Sequence, residues 1–348
     1  MKLAFVINDI ATEKDNYTTI RLARRGVEEG HDIALISLAD ITYEADGNLT
    51  AMAYRPSSEN YADDTEILAD LQSDEVDCSR YVLSDADVLM LRADPADEVV
   101  ERPWAHASGL LFAQLVADQG VIVLNDPRRL TDASNKTYFQ QYPEAIRPRT
   151  CITRDADAIR AFIEAEGGCA VIKPLQGSGG EGVFVIDESS GSNINQMIEA
   201  TIRFGYAIVQ EYLPAAADGD LRLLTLNGRP LRVDGTYACF RRYNDSGDAR
   251  SNITAGGQVE MAEPDEDALR IASIAAPKLV GDGMYLAGLD IVGDKMMEIN
   301  VDTPGGIGQA EDLTGVDFSG VILRDLERKV MLREQYRGSF SNNEISTF

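Results

Sequence analysis

The sequence predicts an α/β fold that becomes α+β in its C-terminal half. Apolar runs that read as strands ("KLAFVIN", "DIALISL", "ADVLMLR", "GVIVLN") alternate with helical stretches such as 17–30 and 105–119. That is a βαβ pattern, which implies a parallel sheet. From 148 onward short strands crowd together, and a glycine-rich run, "AVIKPLQGSGGEGVFVI" at 170–186, joins two of them.

Taken in order, residues 1–125 form the N-terminal parallel unit, with "LADITYEADGNLTAMAYRP" adding a hairpin around Asp46-Gly47. "NDPRRLTDASNKTYFQQYP" (125–143) reads as a loop, then a helix opened by a Ser, Thr or Asp cap. A central unit, 126–205, carries short strands, a helix over 155–166 and the glycine run. The C-terminal unit, 206–335, has strands at "YAIVQEYL", "LRLLTLNG", "PLRVDGTYACFRR", "LAGLDIVG" and "KMMEINV", with helices near 265–281 and 317–332. The polar end, 336–348, is expected to fray.

Composition narrows the function. At 348 residues, 44% hydrophobic and 26% charged, the chain can bury the cores of two or three globular domains. No apolar run approaches the roughly 18–20 residues of a membrane span. "MKLAFVINDI" reads as a first strand rather than a signal peptide. Four scattered cysteines, with no C-x-x-C, suit a reducing cytoplasm. Two histidines leave little material for His-based metal sites or Ser-His triads. Against 32 Lys+Arg stand 58 Asp+Glu, a net charge of -26. That surface repels a nucleic-acid backbone, so a nucleic-acid partner is not expected, and neither is a membrane. Its plain reading is a solvated acidic face of the kind salt adaptation produces. A polyanion such as ATP must then be met by local cations and metal ions.

"GSGGEG" (177–182) spells G-x-G-x-x-G, yet "VFVI" follows it, and those residues form strands rather than a helix. A dinucleotide fingerprint needs the helix, and a Walker A loop needs a Lys-Ser/Thr pair that is missing. What is left is strand–loop–strand: either a hairpin tip whose N–H groups cover phosphates, or a turn. Lys173 in "VIKP" leads into the loop and Lys136 lies in "SNKTYF". Each reads as a phosphate contact or as an ordinary surface lysine.

The strongest signal is "GLDIVGDKMMEIN" (288–300), two strands around Gly293-Asp294. Glu298 and Asn300 lie two apart and share a face. A two-residue turn pairs Asp290 with Met297 and turns it away. A three-residue loop at 293–295 with a bulge is therefore expected, because it pairs Asp290 with Glu298. Met296, Met297 and Ile299 then fill the other side. Asp290, Glu298 and Asn300 on one face are hard oxygen ligands suited to Mg²⁺.

These residues, with "VQEYLP" (209–214), "DGDLRLLTLNG" (218–228) and "RRYNDSGDARSNITAGG" (241–257), occur in the order seen in ATP-grasp ligases. "MLRADP" (90–95) and "VLNDPRRLTDASNK" (123–136) strengthen the likeness, and the chain most resembles bacterial glutathione synthetases from its first strand to about residue 330. The resemblance implies an ATP-grasp fold behind an N-terminal pre-ATP-grasp domain. It implies a cytoplasmic ligase joining γ-L-glutamyl-L-cysteine and glycine, by way of an acyl phosphate, into glutathione, ADP and phosphate. It also implies two Mg²⁺ ions, with Mn²⁺ as a substitute, and a homo-oligomer, dimer or tetramer.

The resemblance also assigns residues. Gln210, Glu211, Tyr212 and Leu213 would hold the adenine, Asp220 would contribute to the nucleotide site, and Lys136 and Lys173 would neutralise the phosphates. Gly177, Ser178, Gly179 and Gly180 would fold over them. Asp290, Glu298 and Asn300 would hold the metal ions. Arg222, Arg242 and Arg250 would meet the transferring phosphoryl group. Arg92, Asn252, Gly256, Gly257, Thr303, Pro304, Gly305 and Gly306 would line the substrate end, with 241–256 closing over the site. Departures concentrate there. "VDTPGGIGQAE" (301–311) stands where relatives usually read Val-Thr-Ser-Pro-Thr, and Ala93 replaces a lysine. Gly305-Gly306 reads either as a carboxylate cradle or as a tight turn. The other readings are a related carboxylate–amine ligase, a kinase-like phosphotransferase and a non-catalytic ATP-binding protein.

Overall fold

Three sheets carry the chain in a computed structural model that describes residues 1–98, 102–133, 135–175, 182–187, 190–203, 205–244 and 257–348. The first sheet contains β1 (Lys2–Ile7), β2 (Asp32–Ser37), β3 (Thr42–Tyr43), β4 (Leu49–Arg55), β5 (Asp77–Val82), β6 (Val88–Leu91) and β7 (Ile122–Leu124). Its path runs β3-β4-β2-β1-β6-β7, with β5 pairing β4. The pairings β2-β1, β1-β6 and β6-β7 are parallel, as the alternating pattern requires. β4 and its partners are antiparallel, so the sheet is mixed at the edge where the Asp46-Gly47 hairpin sits.

The second sheet, ordered β10-β9-β11-β8, is built from β8 (Thr150–Thr153), β9 (Ala170–Pro174), β10 (Phe184–Ile186) and β11 (Ala207–Glu211). β11 therefore belongs with the middle sheet, and the division drawn at 205/206 moves beyond Glu211. Strand pairing, not local propensity, decides the membership: β11 lies antiparallel between β8 and β9. This sheet has its own core of Ile159, Ile163, Ile172, Ile186, Ile198 and Val209.

The third sheet consists of β12 (Asp220–Leu226), β13 (Arg229–Pro230), β16 (Cys239–Tyr243), β17 (Gln258–Met261), β18 (Leu286–Val292) and β19 (Lys295–Asn300). A small ribbon of β14 (Arg232–Val233) and β15 (Thr236–Tyr237) stands beside it. The main path is β17-β16-β12-β18-β19.

The described helices are α1 (Thr18–Glu28), α2 (Asp64–Leu71), α3 (Pro95–Glu98), α4 (Ala105–Asp118), α5 (Pro127–Asp132), α6 (Ala156–Ala165), α7 (Ile194–Ile202), α8 (Glu266–Gly281), α9 (Ile307–Thr314), α10 (Phe318–Gln335) and α11 (Asn342–Thr347). Acidic N-caps set several of their starts. Asp126, Asp155, Asp265 and Asp317 each accept an N–H from the first turn of α5, α6, α8 and α10. Among the described residues no helix is long and apolar enough to cross a membrane.

The polar end does not fray. Ser341 and Glu344 form a capping box, and Ile345, 1% exposed, anchors α11 in the core. Asn342 receives the Val123 N–H at 2.8 Å and donates to the Val123 carbonyl and Asp126, both at 2.9 Å. One apolar residue inside a polar string gave too weak a periodic signal to predict this helix.

The carboxyl ends of β1, β6 and β7 face the third sheet. Asn125, just past β7, donates to Leu286 O and Val301 O and accepts the Leu286 N–H. Arg92, just past β6, donates to Pro304 O at 3.0 Å. Ligands of open parallel sheets bind outside these strand ends, and here that space is closed by β19 and the loop after it.

Candidate active site

The hairpin β18–β19 puts the oxygen-bearing side chains in place. Val292 pairs with Lys295, so the turn is the two residues Gly293 and Asp294, not the expected three. The register shifts between Asp290 and Ile291, which leaves Met297 as the extra residue and sets Asp290 opposite Glu298. The bulge alone changes the parity that a longer loop was expected to change. Asn300 shares the face, donating to Asp290 Oδ2 at 3.1 Å. Ile291 and Met296 pair on the opposite face and are 3% and 0% exposed.

A cavity of about 380 Å³ opens where the three sheets meet. Lys136, Lys173, Gln210, Glu298, Asn300 and Thr303 line it, together with Met297 and Ile299, which were expected to face away. The bulge carries Met297 to the wall. Lys173 pairs with Ile208 across β9–β11, and Ile208 is also on the wall. Lys136 hydrogen-bonds Glu298 directly. Burial opposes its charge, but Glu298 holds its pKa above the ordinary lysine value. Burial would raise Glu298, yet Lys136 and Lys173 keep it low. For Lys173 burial, then the neighbouring Lys136, outweigh the pull of Glu298 and Asp290 and bring it down to about 8.

Asp290, Arg222, Arg242 and Asp220 lie behind this wall, not on it. Arg222 grips Asp290 with two nitrogens and donates to Gly305 O at 2.9 Å. Arg242 spans Asp220 and Asp290, the latter at 2.9 Å. Burial works against an ionised Asp290, but the two guanidinium groups hold its pKa below the ordinary value. Both arginines were expected to reach a phosphoryl group, and Asp220 the nucleotide. In this structure Arg222 and Arg242 both bind Asp290, and Arg242 also binds Asp220, because a buried carboxylate demands cations at close range.

At the expected substrate end, Arg92 is 4% exposed and its fork is spent on Thr19 and Pro304. Gly306 donates its N–H to Thr18 Oγ1 at 3.2 Å, so the turn reading describes this glycine better than the cradle. Its φ is +123°, and a Cβ there would meet the Phe240 ring at 2.9 Å. Glu211 accepts the Arg149 N–H and pairs with that guanidinium. Tyr212, Leu213 and Gly257 are half-buried and off the cavity wall. Gly177, Ser178, Gly179, Gly180, Arg250, Asn252 and Gly256 lie outside the described residues.

Sequence reasoning missed several wall residues, among them the ionisable Asp94, Glu98, His106 and Asp302. The signals were available. Asp94 sits in "LRADP", Asp302 is two residues past Asn300, and His106 is one of only two histidines. His106 Nε2 stands 3.7 Å from Asp302 Oδ1, and burial lifts Asp302 to about 8.

The donor set fits magnesium shared with a nucleotide. Among the described residues no three His, Cys, Asp or Glu side chains form a self-sufficient metal site. Glu298 and Asn300 on the wall beside two lysines, with Asp290 directly behind them, are instead what a partly hydrated Mg²⁺ on phosphate oxygens requires.

Comparison with known proteins agrees with this geometry. The family model of the prokaryotic glutathione synthetase N-terminal domain matches residues 1–131, and that of its ATP-grasp domain matches 135–315. A glutathione synthetase of Synechococcus elongatus is 31% identical over 336 residues, 95% of this chain and 99% of that one. One from Vibrio parahaemolyticus is 33% identical over 250 residues, 71% of this chain and 75% of that one. Among solved structures, the D-cycloserine synthetase DcsG superposes with a TM-score of 0.62 at 15% identity, covering 94% of this chain and 99% of that one. A RimK-domain ATP-grasp protein of Sphaerobacter thermophilus gives 0.56 at 16% identity, covering 93% and 98%. These two share the ATP-grasp fold. With the two domain models matching residues 1–131 and 135–315, the chain belongs to the prokaryotic glutathione synthetase family and is an ATP-dependent ligase.

Proposed function

We propose that this ligase joins γ-L-glutamyl-L-cysteine to glycine, converting ATP to ADP and phosphate and releasing glutathione. One observation carries the reading: Lys136, Lys173, Glu298 and Asn300 converge on a single cavity wall. A carboxylate resists attack by an amine because its charge repels the nucleophile and its oxygen is a poor leaving group. Transfer of the γ-phosphoryl group to the dipeptide carboxylate gives an acyl phosphate, from which the amine displaces phosphate as the amide forms.

The residues supply position and charge. Lys136 exchanges Glu298 for a phosphate oxygen when nucleotide arrives, which releases Glu298 to face the metal. Lys173, mostly protonated at neutral pH, meets the phosphates from β9. Arg222 and Arg242 act through Asp290 by fixing its orientation. Glu298, Asn300 and Asp290 are the side chains that would hold two Mg²⁺ ions, or Mn²⁺ in their place, and the ions supply charge neutralisation at the phosphates. Gln210, with Met297, Ile299 and Ile208, offers the adenine an apolar slot with a polar edge. Gly177 to Gly180, Arg250, Asn252 and Gly256 are assigned to phosphate and substrate contacts on the strength of the resemblance alone. A cytoplasmic, homo-oligomeric enzyme completes the reading, and light scattering tests the assembly.

Phosphate release with ATP, Mg²⁺ and γ-glutamylcysteine, scanned over single amino acids, tests the function. Release that requires glycine supports it. Release that requires another amine replaces it with the related carboxylate–amine ligase.

A further inference from the structure

Beyond the phosphate end, the cavity wall is acidic: Asp94, Glu98 and Asp302 line it with His106. Two of the three acids are satisfied. Glu98 accepts from Asn8 at 2.8 Å and pairs with Arg102 at 2.9 Å. Asp94 Oδ1 accepts the Ala96 N–H at 2.8 Å. Asp302 differs. Its Oδ1 and both ring nitrogens of His106 are buried without a hydrogen-bond partner among the described residues. At 3.7 Å the two side chains are too far apart to bond each other.

Buried polar atoms left unpaired are costly, so three at one spot require an explanation. On the far side a void of about 10 Å³, walled by Val6, Leu38, Leu91 and Leu110 as well as by His106 and Asp302, leaves room for one water at most. Any larger partner has to come from the main cavity, and its chemistry is constrained. A cation with several N–H donors suits the spot, because it reaches a carboxylate and an imidazole at once and favours the ionised form of Asp302. A primary ammonium group has three such donors.

Position selects which ammonium. Asp302 follows Asn300 by two residues, and it and His106 line the same cavity as Lys136, Glu298 and Asn300. The orphaned pair therefore adjoins the place where the phosphoryl group is transferred, and the group needed there is the attacking amine. We propose that Asp302, with His106 beside it, binds the ammonium group of the acceptor amino acid and selects an amine over other nucleophiles. This inference rests on the ligase reading above.

The experiment separates the two. Wild-type enzyme is first given ATP labelled with ¹⁸O at the β,γ bridge and γ-glutamylcysteine without glycine. Scrambling of the label shows acyl phosphate formation, and its absence overturns the ligase reading itself. With that step present, Asp302→Asn is expected to raise KM for glycine by about tenfold or more while KM for ATP moves less than about twofold. The same variant should lose discrimination between glycine and glycolate, which carries a hydroxyl in place of the ammonium, as judged by the glycolate inhibition constant. Asp302→Glu should recover part of that discrimination. If Asp302→Asn does not fold, Asp302→Ser, read by the same ratio, takes its place. An unchanged KM for glycine, or a rise confined to the dipeptide, overturns the proposal.

Discussion

Asp290 stands opposite Glu298 across the β18–β19 hairpin although the turn between the strands has only two residues. The bulge at Met297 makes this alignment, and it brings two carboxylates and Asn300 to one side of a twisted ribbon. Glu298→Gln keeps the shape of that side chain and removes its charge. Turnover is expected to fall by more than the roughly 10–100-fold typical of outer-shell substitutions at metal sites. A steady-state assay at saturating ATP and Mg²⁺ checks this, and a kcat within twofold of wild type contradicts it.

Arg222 acts at one remove. Its two-pronged grip on Asp290 is a geometry that lysine cannot reproduce. In Arg222→Lys the Mg²⁺ concentration for half-maximal activity should rise about tenfold, with KM for the dipeptide much less affected. A metal titration of initial rates reads both. If Arg222 contacted the dipeptide directly, the order would reverse.

Lys173 couples pH to both binding and stability. Its folded pKa lies at about 8 against an ordinary 10.5, because burial and Lys136 disfavour its charge. Nucleotide phosphates require the charged form, so ATP affinity should weaken as pH rises through about 8, a trend visible by calorimetry. Stability of the free enzyme runs the other way. Below 8 both states are protonated and the full penalty of burying the charge is present. Between 8 and 10.5 the folded state alone has released the proton, so stability rises with pH. Lys173→Met should therefore melt higher than wild type near pH 7, with the gap narrowing toward pH 10, while losing activity.

Asn342 ties the C-terminal helix to β7 and to the N-cap of α5. Replacing it with alanine strands the Val123 N–H and carbonyl in a buried site, at a cost of about 2 kcal/mol. Urea denaturation measures the loss, and KM values should stay near wild type because α11 is remote from the cavity wall.

What was legible in the sequence follows from the range over which each residue is determined. Helix starts were readable because Asp155, Asp265 and Asp317 cap their own first turns. The shared face of Glu298 and Asn300 was readable because strand alternation is local. The turn length was not, since a bulge and a longer loop correct the same parity and both leave similar residues exposed. The contacts of Arg222 and Arg242 with Asp290 were also hidden. A guanidinium in a strand can serve a phosphate or a neighbouring carboxylate, and the contact between Arg222 and Asp290 comes from the register of strands distant in sequence. Asp302 and His106 come from elements almost 200 residues apart in the chain, and no pattern in either segment announces the other.

In the proposed enzyme two lysines and the Asp290–Glu298–Asn300 face converge on one metal–nucleotide complex. Anomalous scattering from Mn²⁺ in crystals grown with ADP measures this directly. Manganese is expected within coordinating distance of Glu298 and Asn300, with the ammonium groups of Lys136 and Lys173 on the phosphate oxygens. Manganese bound elsewhere, or phosphates out of reach of both lysines, would contradict it.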